Sequence, residues 1–173
     1  MEKEKISLNE SVKEAITIAL LKLMEKRPLD KIQVKDIAAL AGVSRSSFYR
    51  NFESKEDVLV KYFNEIYNRK FSEEAEKNFV IVTEKEFFIN RFKFVKNNQT
   101  FFKLLDKNNL VEYVFKRVDE KNLDKLFLIS WENENEKGYL KAGAAGKCSG
   151  ILVHWIKRNF KETEEELADI LYF

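Results

Sequence analysis

Proline, cysteine, histidine and glycine are all scarce in this chain, and each scarcity excludes something. One proline and five glycines among 173 residues, with 35% of residues charged, are typical of an all-helical soluble protein. The single cysteine, Cys148, excludes an internal disulfide framework and fits a reducing compartment. The amino terminus is charged and lacks the apolar core of a signal peptide. We therefore expect a cytoplasmic protein without membrane association.

Catalytic constellations are also missing from the sequence. The one histidine, His154, lies six residues after Cys148, which places the two on opposing sides of a helix if the helix is continuous. No His, Cys and carboxylate cluster has metal-ligand spacing, and no glycine-rich phosphate loop or nucleophile signature is present. We expect no enzyme, no metal and no cofactor, with His154 in an interface or a pocket.

Two short helical patterns separated by a glycine occupy residues 32–52. Apolar residues recur at helical spacing in the first pattern: Val34, Ile37, Ala38 and Ala41. Gly42 follows, at a position where a left-handed residue ends a helix. Ser44 is a good N-cap for the second pattern, in which Phe48 and Phe52 form one apolar edge. This arrangement predicts a helix-turn-helix, whose second helix can enter the major groove of DNA.

The polar face of the second helix supports that use. With Phe48 inward, the opposite arc carries residue types that contact guanine edges and phosphates, namely Arg45, Ser46, Tyr49 and Arg50. Residues 54–57 indicate a capping box, so Lys55 lies in the first turn of a third helix, where it can share a phosphate with backbone N–H groups. The alternative is that these side chains are merely solvated on a short surface helix.

Residues 34–59, VKDIAALAGVSRSSFYRNFESKEDVL, resemble the DNA-binding signature of the TetR (tetracycline-repressor-like) transcriptional regulators. The resemblance implies an all-α fold and a set of DNA-binding residues: Lys35, Ser44, Arg45, Ser46, Ser47, Tyr49, Arg50, Asn51 and Lys55. Arg45 and Ser46 would face bases, while Lys55 would touch the sugar-phosphate backbone. Many members carry Thr at the position of Gln33, and because Gln is a poor N-cap we expect no phosphate contact from it.

The remaining pattern predicts a helical chain. The resemblance implies two domains, 1–53 for DNA binding and 54–173 for effector binding and dimerisation. A capping box at 7–10 should open the first helix, and Pro28 should end it. The helix from Ser54 runs long and is the natural lever between the domains. Further helices are expected at 84–95 and at 110–131. Between them another helix should follow a break at 97–99, and a last group should follow a polar loop at 132–136.

The segment 142–150, AGAAGKCSG, contains small residues only, apart from Lys147. It is either a flexible loop or a helix that another backbone approaches closely, and we favour the helix because apolar residues flank it at helical spacing. A capping box at 163–166 opens a last helix. In the family, two C-terminal helices form a four-helix bundle with a second subunit, which implies these interface residues: Ala142, Gly143, Gly146, Gly150, Trp155, Leu167, Ile170 and Leu171.

Aromatic residues are abundant between Phe79 and Trp131, in excess of what two apolar stripes require. They form either a solid core or, as the resemblance implies, the wall of an effector cavity with these candidates: Phe92, Phe102, Tyr113, Phe127, Trp131 and His154. We expect a homodimeric repressor whose binding to operator DNA is controlled by a small, mostly apolar effector. The alternative is a regulatory partner of the same fold that acts through protein contacts without an effector of its own.

Overall fold

The computed structural model describes residues 2–77, 84–117 and 134–171, and within these ranges every regular element is a helix. The helices are α1 (Glu2–Lys26), α2 (Val34–Ala41), α3 (Arg45–Asn51), α4 (Lys55–Lys77), α5 (Glu84–Asn97), α6 (Gln99–Lys107), α7 (Val111–Phe115), α8 (Glu134–Lys157) and α9 (Glu164–Leu171). A 3-10 turn, Leu29–Lys31, joins α1 to α2. The predicted all-α class is confirmed.

The chain forms two compact units, Met1–Tyr67 and Asn68–Phe173. The sequence places the division just before Ser54, whereas the units divide within α4. Hydrogen bonds from the first turns of α4 explain the difference, because Lys55 and Lys61 donate to backbone carbonyls of the first unit. These turns therefore belong to the first unit.

Helix α1 supplies the base of the first unit. Its predicted start is wrong, because the helix already begins at Glu2 and Ser7 lies inside it. Residues 2–6 are Glu, Lys, Glu, Lys and Ile, mostly strong helix formers, so no cap at Ser7 is needed. The predicted stop before Pro28 is confirmed by the last helical residue, Lys26. One face of α1 is buried at Ile16, Thr17, Ala19, Leu20 and Met24.

Helices α2 and α3 pack against α1 and against each other. The side chains of Ile37 and Phe48 are fully buried, as are those of Val58 and Leu59 from α4. Ala38 is 3% exposed and its carbonyl accepts a hydrogen bond from Val43 N–H at 3.0 Å. Because the side chain of Ala38 is small, the turn between α2 and α3 can approach α2 closely enough for this hydrogen bond.

The second unit has an aromatic core. Trp155 lies edge-on to Phe92 and Phe160, with ring centroids 5.7 and 4.8 Å away. The indole Nε1 of Trp155 donates to the carbonyl of Glu162 at 3.0 Å, so its one polar atom is satisfied. Phe102 has a second set of ring contacts, with Phe94, Phe101 and Phe115. Helices α6 and α7 pack against α8 around this core.

Helices α5 and α9 also pack together, and three ion pairs join them. The pairs are Lys85–Asp169, Lys93–Glu165 and Lys96–Glu164, with nitrogen–oxygen distances of 2.5, 3.8 and 3.4 Å. The predicted capping box at the start of α9 is confirmed, because Thr163 Oγ1 accepts from Glu166 N–H at 3.1 Å and Glu166 accepts from Thr163 N–H at 2.7 Å. The cap orders the start of α9, whose Leu167, Ala168 and Leu171 are buried, while the ion pairs link its exposed side to α5.

The helix favoured for 142–150 is confirmed, whereas one loop prediction is wrong. Helix α8 runs without interruption through 142–150, so the flexible-loop alternative is excluded. The polar loop predicted at 132–136 is already helical from Glu134, since glutamates in a first turn complement the helix dipole. The break after Asn97 is confirmed. The predicted helix 110–131 appears as α7, with a turn at 116–117, and its continuation lies outside the described residues.

Candidate nucleic-acid interface

The turn between α2 and α3 depends on one glycine. Gly42 has φ of 69°, the left-handed region in which a Cβ is strained, and its N–H caps α2 by bonding to the carbonyl of Ala39 at 3.3 Å. No heavy atom lies within 4 Å of where a Cβ would stand. Backbone conformation rather than lack of space therefore requires glycine here.

The start of α2 is held by Asp36. Its carboxylate accepts the backbone N–H of Gln33, the N-cap residue, at 3.2 Å and a guanidinium N–H of Arg27 at 2.6 Å. The hydrogen bond from Gln33 and the charge of Arg27 hold the pKa of Asp36 below its usual 3.8, although partial burial opposes them. Although Gln is a poor cap, Asp36 thus orders this helix start and ties it to the end of α1.

The start of α3 is capped by Ser44, as predicted. Its Oγ accepts the N–H of Ser47 at 3.1 Å and lies 2.8 and 2.9 Å from the hydroxyl oxygens of Ser46 and Ser47. A hydroxyl offers one donor and two acceptor sites, so these three contacts use the whole capacity of Ser44. Ser44 therefore shapes the start of α3.

The outward arc of α3 is arranged as the sequence predicts. Phe48 is fully buried, while Arg45, Ser46 and Arg50 are exposed and Tyr49 is 55% exposed. Within the described residues neither Arg45 nor Arg50 forms an ion pair or a hydrogen bond. The Tyr49 ring stands edge-on to Phe48, with 5.4 Å between ring centroids, which supports it on the surface. These side chains can therefore meet a ligand without breaking internal contacts.

The other predicted DNA contacts divide into two groups. Lys35, in the first turn of α2, is exposed. Asn51 is half-buried and donates from Nδ2 to the carbonyl of Ser47 at 2.8 Å. Lys55 is also half-buried, and its ammonium donates to the carbonyls of Leu29 and Ile32 at 2.7 and 2.8 Å. Lys35 is thus exposed, like the side chains on the outward arc of α3, whereas Asn51 and Lys55 form hydrogen bonds within the protein.

Lys61 is a residue of this site that sequence reasoning missed. Its Nζ donates to the carbonyl of Asn51 at 3.0 Å, forms an ion pair with Asp57 at 2.8 Å and lies 5.3 Å from the centre of the Phe52 ring. It therefore ties the end of α3 to α4. The spacing of Asp57 and Lys61, i and i+4, is the signal that could have revealed it.

The predicted effector residues are spread over the second unit. Phe92 and Phe102 are buried, Tyr113 is half-buried beneath the guanidinium of Arg117, and His154 is exposed. Phe127 and Trp131 lie outside the described residues. The described aromatic rings contact one another, which fits the solid-core alternative as well as the wall of a cavity.

The predicted interface residues differ widely in exposure. Gly143, Gly146 and Gly150 lie exposed on α8, and Ile170 is 52% exposed on α9. Leu167, Leu171 and Trp155 are buried within their own chain. Ala142 lies within α8. The exposed residues leave a surface on which a second copy of the chain could pack. The buried residues could influence that surface only through the positions of their helices.

The described ranges contain neither a metal-ligand cluster nor a membrane-spanning helix. Among those residues, no group of three or more His, Cys, Asp or Glu side chains lies together as metal ligands would. No helix there is long and apolar enough to cross a membrane.

A capped helix pair around a left-handed glycine, with an exposed basic and aromatic arc on the second helix, defines a helix-turn-helix DNA-binding protein. A family model described as "Bacterial regulatory proteins, tetR family" matches residues 16–62, and one described as "Transcriptional regulator C-terminal region" matches residues 82–172. The chain belongs to the TetR family of transcriptional regulators, as its signature predicts.

The individual relatives match less than a third of this chain. The HTH-type transcriptional regulator EthR of Mycobacterium tuberculosis is 44% identical over 55 residues, which are 32% of this chain and 26% of that protein. EthR of Mycobacterium bovis gives the same figures. The chain thus covers about a quarter of the length of these curated relatives.

Proposed function

We propose that this protein is a homodimeric repressor that binds operator DNA with α3 and is released by a small, mostly apolar effector. The observation that supports it most directly is the outward arc of α3, where Arg45 and Arg50 are exposed and Tyr49 stands between them on the surface. Two guanidinium groups and a phenolic hydroxyl on one helix face can form hydrogen bonds with guanine edges and phosphates.

The proposal is tested with Arg45→Ala. If Arg45 pairs with a guanine, operator affinity should fall by about 1–3 kcal/mol and discrimination at that base pair should relax. The operator is first obtained by sequencing genomic fragments that the purified protein retains. Fluorescence anisotropy against this operator and its single-base variants then measures both effects.

Lys107→Ala is the matched control, because it removes one exposed cation from the second unit. It should bind the operator like the parent. If a folded Arg45→Ala, Tyr49→Ala double variant also binds like the parent, α3 is not the recognition helix. A parent that retains no genomic fragment would favour the alternative regulator that acts through protein contacts.

Dimerisation follows from the geometry of DNA. A symmetric operator presents half-sites one helical turn apart, roughly 34–36 Å, so a chain with one motif needs a second copy. The exposed glycines of α8 and the exposed Ile170 of α9 offer a surface on which another helix pair can pack closely. We assign the dimer contact to this face.

Effector control is the third part of the proposal. Helix α4 is one continuous element that carries residues of both units. An effector bound among the aromatic residues of the second unit would shift α4, and the shift would change the separation of the two recognition helices in the dimer. Operator affinity falls only if the effector prefers the shifted state.

A further inference from the structure

The side chain of Lys55 turns back from the first turn of α4 to the segment that joins α1 to α2. Its ammonium donates to the carbonyl of Leu29 at 2.7 Å and to that of Ile32 at 2.8 Å. These two carbonyls bracket the 3-10 turn Leu29–Lys31. One side chain thus joins elements that are 23 to 26 residues apart in sequence.

Both acceptors belong to firmly held backbone. The Leu29 carbonyl also accepts the N–H of Ile32 at 3.0 Å, so Lys55 occupies its second lone pair. The side chains of Leu29 and Ile32 are 5% and 1% exposed. The carbonyl of Ile32 directly precedes Gln33, the N-cap of α2, so the bond from Lys55 acts at the start of that helix.

We propose that Lys55 is a positioning residue, which holds the start of α2 against the first turn of α4, and not a phosphate ligand. This inference rests on the proposed function, because α2 presents Lys35 and its Gly42 turn sets the direction of α3. An ammonium has three donors, and two of them are already used inside the protein. A charge-assisted bond of this kind is stronger than a neutral one.

The inference adds a second connection between α4 and the motif. Lys61 joins α4 to the end of α3, and Lys55 joins it to the start of α2. A displacement of the first two turns of α4 would therefore move both motif helices together. In this arrangement Lys55 acts on the operator through α2, without touching DNA.

The test compares Lys55→Met, which keeps the apolar stem but removes the ammonium, with two matched variants. Lys61→Met removes a cation from the same helix that bonds to a different carbonyl. Lys35→Met removes an exposed cation of α2. Two quantities are measured on each full-length variant: amide hydrogen exchange along the first unit, and operator affinity at several salt concentrations, at a temperature where every variant is fully folded.

For Lys55→Met we expect faster exchange at Ile32 and in the first turn of α2, and an operator Kd raised about tenfold at every salt concentration. The slope of log affinity against log salt should stay that of the parent. Lys61→Met should speed exchange near Asn51 instead. Lys35→Met should flatten the slope by about one unit if Lys35 neutralises a phosphate.

The proposal is overturned if Lys55→Met flattens the salt slope by about one unit while exchange at Ile32 is unchanged, because that is the signature of a phosphate ligand. Faster exchange with an unaltered operator Kd would also overturn it, since Lys55 would then be structural only. A parent chain that binds no duplex DNA would refute the proposed function, whereas the exchange data would still decide whether Lys55 holds the start of α2.

Discussion

Single side chains decide how the motif helices start. Ser44 uses all its hydrogen-bonding capacity within α3, and Asp36 joins the N–H of Gln33 to the guanidinium of Arg27. Ser44 is among the residues that the family resemblance assigns to DNA, whereas Asp36 is not, and both form hydrogen bonds within the protein. On the proposed function, we expect DNA contacts above all from the exposed Arg45 and Arg50, which form no ion pair or hydrogen bond within the described residues.

The carboxylate of Asp36 should make stability depend on pH. Its folded-state pKa lies below the usual 3.8 because it accepts the N–H of Gln33 and faces Arg27, so the charged form favours folding. That contribution is complete above the unfolded pKa and is lost as pH falls through 3.8 toward the folded value. Asp36→Asn should therefore lower Tm near neutral pH, by an amount that shrinks as pH falls below 3.8.

Thermal melts of parent and variant between about pH 7 and pH 3 measure this difference. Asp30→Asn is the control, because its exposed carboxylate forms, within the described ranges, one ion pair, with its neighbour Lys31 at 3.5 Å. A Tm difference for Asp36→Asn that stays constant across the whole range would show that the ionised form of Asp36 contributes nothing to folding.

At the scale of the element, α8 is a continuous helix although its interior glycines disfavour helix formation. Each interior glycine costs about 1 kcal/mol relative to alanine. Within the described residues nothing lies within 4 Å of a Cβ added to Gly143, Gly146 or Gly150, so the fold of one chain does not require glycine there. A second chain that packs closely on this face would explain why glycine occurs at these positions.

Gly146→Leu distinguishes these situations. The substitution should raise helix propensity by nearly 1 kcal/mol and still dissociate the dimer, because leucine would separate the two backbones. Sedimentation velocity across a concentration series measures the assembly state. Gly138→Leu, on the same helix and equally open to solvent, should remain dimeric. If Gly146→Leu sediments as a stable dimer, the interface lies elsewhere on the protein.

At the scale of the whole molecule, the proposed function requires that operator DNA and the effector each weaken the binding of the other, with α4 as the connection. Linkage makes this coupling reciprocal: operator DNA must weaken effector binding by the same factor by which effector weakens operator binding. We expect a coupling of about 1–3 kcal/mol, which is typical of such systems. Calorimetric titration of a screened apolar ligand, with and without saturating operator, measures it. Equal ligand affinity in both titrations would identify a molecule that binds but does not induce.

The elements and the motif could be predicted from the sequence because their signals are local. Gly42 marks a left-handed turn through its own backbone, whereas Ser44 and Thr163 mark helix starts through side-chain hydrogen bonds. Pro28 marks a stop because it restricts the residue before it. The outward arc of α3 follows from helical periodicity once Phe48 is placed inward. Local signals fail where good helix formers need no cap, as at the start of α1.

Only the tertiary structure decided what the polar side chains of the motif do. Lys55 and Lys61 are both lysines in the first two turns of α4, and nothing in their spacing shows that each bonds to a carbonyl of a different motif helix or linker. A long flexible side chain can reach solvent, DNA or a distant carbonyl with little difference in local energy. The backbone brought beside it by folding determines which of these it contacts, because an internal acceptor held nearby by buried neighbours needs no further ordering.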